Sequence, residues 1–318
     1  MNLDDISNFT RIDTQDYLAE IDGLPAQLEQ AWELGSRLPL PSWTGIQRVV
    51  VAGMGGSAIG ADLLAAYAAA NCPVPLIVHR SYGLPAWAHG PETLLITSSH
   101  SGNTEETLTA FHAGLQRGCR ILALCTGGKI AEAARQTGCA LWIFDHQGQP
   151  RAAVGYSFGL LLAALSRLGL LPDPGAELAS ALEAMRQLQE KLRAGVPTTR
   201  NPAKRLAGQL VERWVAVFGS DVLEPVARRW KGQVAELAKA WGQFEFLPEA
   251  DHNTLAGLQQ PAAGLPSLMA LFLRAPSCHP RNLLRSDLTR QAFMLEGVNT
   301  DSVDATGDTP LSHQWTAL

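Results

Sequence analysis

The chain alternates between short unbroken apolar runs and longer amphipathic segments. Apolar runs occupy Ile46–Ala52 with Val49-Val50-Val51 at its centre, Val74–His79, Leu94–Ile96 running into Thr97, Arg120–Cys125 and Ala140–Phe144. Runs of this length, bounded by turn residues, predict strands buried on both faces. Helical patterns fall between them: Ile59–Ala70, a segment opening at Thr104-Glu105-Glu106-Thr107, and Lys129–Thr137. Residues 46–145 therefore predict five strands alternating with helices, a doubly wound parallel sheet. Residues 10–38 carry helical periodicity on either side of Gly23-Leu24-Pro25, and a long apolar helix is expected over Ala152–Leu168.

Leu171-Pro172-Asp173-Pro174-Gly175 reads as a linker. It divides the chain into residues 1–170 and residues 171–318. Beyond it the pattern predicts an amphipathic helix over Ala176–Ala194, a strand over Trp214–Phe218 and a long helix over residues 222–241. Later strands are expected at Phe244–Leu247, Ser267–Leu273 and Val298–Val303, so the second half repeats the α/β rhythm around a smaller sheet.

Composition narrows the function classes. At 318 residues, 46% hydrophobic and 17% charged, the chain can bury a sizeable core. A net charge of −5 argues against a general nucleic-acid binder. Five cysteines without CxxC spacing suggest reduced thiols, a cytoplasmic protein and no metal site. The longest apolar stretch, Phe158–Leu171, is interrupted by Arg167 and too short to span a bilayer. No signal-peptide pattern opens the chain.

The candidate chemistry gathers at the ends of two strands. Leu94 to Ser99 ends in Ser99-His100-Ser101-Gly102-Asn103-Thr104, followed by an acidic first turn. A strand, a hydroxyl-rich loop and a helix N-terminus make an anion site, with main-chain N–H groups and the hydroxyls of Ser99, Ser101 and Thr104 as donors. A capped helix with a solvated serine turn is the competing reading. The first strand enters Gly53-Met54-Gly55-Gly56-Ser57-Ala58, where glycine admits a close ligand and Ser57 offers a hydroxyl. This turn also satisfies GxGxxA, so a dinucleotide is the alternative ligand, although Arg80 rather than an acid ends the next strand. Arg151 stands at a loop-to-helix junction, either as a surface arginine or at the same edge. Read alone, Glu236 is one half of an ion pair with Lys239 on a helix face, and His252 is an exposed turn residue.

Taken in order, Gly53-Met54-Gly55-Gly56-Ser57, Arg80-Ser81-Tyr82-Gly83-Leu84-Pro85, Ser99-His100-Ser101-Gly102-Asn103-Thr104-Glu105-Glu106-Thr107, Pro150-Arg151, the segment Lys231–Lys239 and Pro248-Glu249-Ala250-Asp251-His252-Asn253 resemble the bifunctional phosphoglucose/phosphomannose isomerase family. The resemblance spans roughly residues 40–300. It implies two doubly wound, flavodoxin-like sugar isomerase (SIS) domains with flanking helices. It also implies a homodimer with active sites at the subunit interface, no cofactor, and interconversion of glucose 6-phosphate and mannose 6-phosphate with fructose 6-phosphate. By the same resemblance Gly56, Ser57, Ser99, Ser101 and Thr104 hold the sugar phosphate. Arg151 stabilises an enediolate, Glu236 moves the proton between C1 and C2, and His252 assists ring opening. The family flanks its catalytic glutamate with asparagines, where this chain has Ala235 and Leu237. The family also carries a final helical region with a catalytic threonine and a lysine, and no lysine follows Lys239 here. A weakly active or purely sugar-phosphate-binding protein is therefore the alternative expectation.

Overall fold

The computed structural model describes residues 2–318. The chain divides into two compact units, one of residues 17–174 and one joining the first sixteen residues to residues 175–318. The short helix α1 (Ser7–Ile12) belongs to the latter unit. Asp4 ties that lead-in down, its carboxylate accepting from the Thr198 amide at 2.8 Å and from Lys204 Nζ at 3.2 Å.

The first unit runs α2 (Tyr17–Asp22), α3 (Leu24–Arg37), β1 (Arg48–Ala52), α4 (Gly55–Ala68), β2 (Leu76–His79), β3 (Thr93–Ser99), α5 (Glu105–Gln116), β4 (Arg120–Cys125), α6 (Gly128–Thr137), β5 (Ala140–Ile143) and α7 (Val154–Arg167). Its five strands are parallel in the order β2-β1-β3-β4-β5. β3 is buried at all seven positions, its apolar Leu94–Ile96 and its small Thr and Ser residues alike, as expected of a central parallel strand. Chain direction across the sheet reverses between β1 and β3, the switch point at which such folds open a crevice at their carboxyl edge.

Helix α4 departs from its sequence expectation. It starts at Gly55 rather than Ile59 because Gly55 takes a φ of +50°, turning the chain directly from β1 into the helix. Gly56 and Ser57 are thereby drawn into the first helical turn.

Helices α3 and α7 approach closely through glycine. A Cβ on Gly35 would stand 2.6 Å from Ala163 Cβ, and one on Gly159 would stand 2.7 Å from Ala31 Cβ. Beside them the Gln27 side chain accepts from the Gly155 amide at 2.7 Å.

The second unit continues with α8 (Gly175–Leu192), α9 (Pro202–Leu210), β6 (Trp214–Ser220), α10 (Glu224–Glu236), β7 (Gly242–Leu247), β8 (Leu268–Arg274), α11 (Pro280–Leu295), β9 (Asn299–Asp304) and α12 (Pro310–Ala317). Its four strands are parallel in the order β7-β6-β8-β9. Phe218 stacks on Phe272 with centroids 4.7 Å apart, and Phe293 meets Phe218 edge-on at 5.3 Å. Three 3₁₀ turns, Glu249–His252, Thr254–Gln259 and Ala262–Ser267, join β7 to β8.

The helix expected over residues 222–241 stops at Glu236. Lys239 takes a φ of +55° and the Ala240 amide reaches back to the Val234 carbonyl, so the chain turns into β7. Glu236 is thus a terminal rather than interior helical residue. Lys239 Nζ lies 2.7 Å from the main-chain carbonyl of Glu236, so the lysine caps the helix end instead of standing on a continuous helical face.

Gly159→Val should force α3 and α7 apart and lower stability by about 1–3 kcal/mol in urea unfolding. Gly232→Ala, where an added Cβ meets nothing within 4 Å, should be neutral or slightly stabilising in the same measurement.

Candidate functional site

The predicted phosphate residues converge at the carboxyl ends of β1 and β3. Gly56 and Ser57 form the first turn of α4, Ser99 ends β3, and Thr104 is the N-cap of α5. Parallel pairing sets Ala52 opposite Thr97, so both turns leave the sheet side by side. The main-chain amide of His100 then donates to Ser57 Oγ at 3.1 Å, stitching one loop to the other.

Hydrogen bonding turns the hydroxyls into donors. Ser57 Oγ accepts from the His100 amide, Ser99 Oγ from the Gly102 amide at 3.1 Å, and Ser101 Oγ from the Asn103 amide at 3.2 Å. A hydroxyl that already accepts a main-chain N–H can still give its own proton outward. Ser99 Oγ and Thr104 Oγ1 lie 2.9 Å apart and share one proton between them. The Ser57, Ser101 and Ser99–Thr104 positions therefore supply hydroxyl donors beside the two helix N-termini. That is the chemistry a phosphate needs, with no lysine in the loop.

The neighbouring loop braces this cradle. The Thr126 amide and Oγ1 both donate to the His100 carbonyl, the Ile130 amide to the Gly102 carbonyl, and the Lys129 amide to Asn103 Oδ1. Gly102 has a φ of +66°, and a Cβ there would overlap the Gly127 carbonyl, so only glycine fits.

Arg151 comes to the same edge. A Cβ on Gly56 would overlap the Pro150 carbonyl and lie 3.4 Å from Arg151 Cα, so the chain ahead of α7 rests directly on the α4 N-terminus. Arg80, the residue that could have favoured a dinucleotide phosphate, is instead engaged by the Asp62 carboxylate of α4.

Glu236 and His252 belong to the second unit, and both are exposed. Val234 packs against Gly242 at the amino end of β7, which places Glu236 near that end, whereas His252 follows the carboxyl end of the strand. The six residues of the strand run about 17 Å between those ends. Asp251, beside His252, is anchored to α11 by Arg285 at 2.7 Å and Thr289 at 2.8 Å.

One cluster in the first unit carries no sequence motif. His100 Nε2 lies 2.9 Å from His146 Nδ1, and His146 Nε2 lies 3.2 Å from Glu20 Oε2. The signal available in the sequence was a histidine between the two loop serines. Its partners are 46 and 80 residues away, which no local pattern could reveal. Burial pushes the His100 pKa below its ordinary value of 6.5, and the neighbouring His146 adds to that, with Glu20 opposing.

Among the described residues no group of His, Cys, Asp and Glu is arranged to hold a metal ion, and no helix is long and apolar enough to cross a membrane.

Two parallel α/β sheets give this chain the fold of solved SIS phosphosugar isomerase structures. A glucose-6-phosphate isomerase-like protein from Thermus thermophilus shares the fold with a TM-score of 0.64 at 20% identity, covering 100% of this chain and 93% of that one. Residues 199–318 match the bacterial phospho-glucose isomerase C-terminal SIS domain. The chain is 37% identical over 280 residues to the bifunctional phosphoglucose/phosphomannose isomerase of Caldicellulosiruptor bescii, covering 87% of this chain and 82% of that protein. It is 30% identical to the enzyme of the same name from Aquifex aeolicus, covering 79% and 74% respectively. The chain belongs to the bifunctional phosphoglucose/phosphomannose isomerase family.

The depressed His100 pKa fixes a sign. Between the folded value and 6.5 the unfolded chain binds more protons than the folded one, so stability rises with pH. Urea midpoints should therefore increase from acid up to about pH 6.5 through this group, and His100→Gln should remove that share of the slope.

Proposed function

We propose that the protein is an aldose–ketose isomerase interconverting glucose 6-phosphate and mannose 6-phosphate with fructose 6-phosphate through an enediolate. The observation that carries this reading is the cradle made by the Gly56 main chain at the α4 N-terminus and the hydroxyls of Ser57, Ser99, Ser101 and Thr104, in a chain related to enzymes of that name. In this reading the unit of residues 17–174 is a second sugar isomerase domain, the counterpart of the one matched at residues 199–318.

Glu236 takes the proton from C2 of the open-chain aldose and returns it to C1, and the Arg151 guanidinium steadies the enediolate oxygen between the two transfers. His252 passes a proton at the ring oxygen when the sugar opens. Glucose and mannose 6-phosphates are epimers at C2, and removing the C2 proton gives the same enediolate from either. One base reaching both faces of that carbon therefore serves both sugars without a second site.

The working form in this reading is a cytoplasmic homodimer. Glu236 and His252 belong to elements at opposite ends of β7, a strand whose six residues run about 17 Å. A second copy supplying His252 would bring both groups to one sugar. A non-catalytic sugar-phosphate binder is the second reading, favoured by Ala235 and Leu237 at the positions flanking Glu236.

A coupled assay of the purified protein with each hexose 6-phosphate decides between them: saturable fructose 6-phosphate binding without turnover selects the binder. In the isomerase reading Glu236→Gln should lower kcat at least about a hundredfold with substrate affinity changed less than about threefold. Ser99→Ala should instead raise KM about tenfold, as expected for losing a hydrogen bond to a charged group. Full activity in Glu236→Gln would reassign the base.

A further inference from the structure

We propose that Glu20, His146 and His100 form a positioning relay that holds the segment carrying Arg151 against the phosphate loop. The inference rests on the isomerase reading only for what Arg151 does there; the relay itself is a matter of geometry within the first unit.

The segment after β5 has no regular structure until α7 begins at Val154. It crosses the carboxyl edge of the sheet and must deliver Arg151 to the α4 N-terminus. Two attachments fix it. At one end Pro150 rests on Gly56, where no side chain fits. At the other, His146 is bonded to His100, whose own amide and carbonyl are tied to Ser57 and Thr126. The imidazole rings of His100 and His146 meet edge-to-face at 5.1 Å, and Phe144 stacks on Tyr156 of α7 at 5.0 Å. The His146 side chain is only 8% exposed, so its ring has little freedom to leave.

Glu20 determines which nitrogen carries each proton. Its carboxylate is acceptor-only, so His146 must give it the proton on Nε2. In a neutral ring His146 Nδ1 is then a lone pair, and the 2.9 Å contact has His100 donating from Nε2. With both rings uncharged, one carboxylate orders the two histidines in sequence. The other titratable groups beside this chain are Asp145 and Tyr156, and burial, then Asp145 and Glu20, raise the phenol's pKa, so it stays neutral. Protonating both histidines would set two donors against each other and break the His100–His146 bond. The burial that disfavours charge on His100 keeps the relay intact at neutral pH.

The test uses the full chain labelled with ¹⁵N-histidine. At pH 7.5 both His100 and His146 should show the Nε2–H tautomer. In Glu20→Gln, an isosteric change whose amide can give as well as accept, that single pattern should be lost. In the isomerase assay His146→Ala should lower kcat about ten- to a hundredfold with KM within threefold, because Arg151 is displaced while the phosphate hydroxyls stay. Glu20→Gln should shift the acid limb of the kcat–pH profile. A wild-type His100 protonated on Nδ1, or His146→Ala retaining kcat with only a lowered Tm, would overturn the relay. The tautomer measurement needs no turnover. An inactive wild type with the expected tautomers defeats the isomerase reading and keeps the relay, whereas an active wild type with the other tautomer does the reverse.

Discussion

Parallel pairing of β1 with β3 is the constraint on which the first unit depends. With Ala52 opposite Thr97, the turn after β1 leaves the carboxyl edge beside the last two residues of β3. β1 then leads to β2 on one side and β3 to β4 on the other, so the two chain paths diverge and leave a crevice between them. The His100–Ser57 hydrogen bond spans that gap. The cradle needs no lysine because two helix N-termini and a set of oriented hydroxyls replace a full charge with several partial ones.

Glycine sets how closely the elements around this edge can meet. Gly56 admits Pro150, Gly102 admits the Gly127 carbonyl, and Gly159 admits Ala31. The first two contacts bring the Arg151 segment and the bracing loop onto the cradle, and the third seats α7, which carries that segment into the core. The sheet therefore provides register, the glycines provide proximity, and the histidine chain provides orientation.

The second unit handles its candidate groups differently. Glu236 sits at a helix terminus closed by the left-handed Lys239, and His252 sits in a 3₁₀ turn beside the anchored Asp251. Both are held on short, capped features at the two ends of one strand, not in a shared loop. The compact aromatic cluster of Phe218, Phe272 and Phe293 lies in the core of this unit.

Much of the fold was legible in residue order. The β-branched and aliphatic runs of β1, β3 and β4 read as buried parallel strands, and the Ser/Gly loop with its acidic first turn read as a helix N-terminus, either an anion site or a solvated cap. Helix ends were less legible: α4 begins four residues early and α10 ends five residues short of expectation, because glycine and a left-handed lysine turn the chain where periodicity alone would continue. Residues 249–267, with no helical or alternating pattern, proved to be 3₁₀ turns. The motif residues Ser57, Ser99, Ser101 and Thr104 could be picked out locally, since each lies in a strand-to-helix turn of recognisable composition. The partnership of Glu20, His146 and His100 could not, because it joins residues from three distant segments whose meeting is decided only when α2, β3 and β5 have packed into one body.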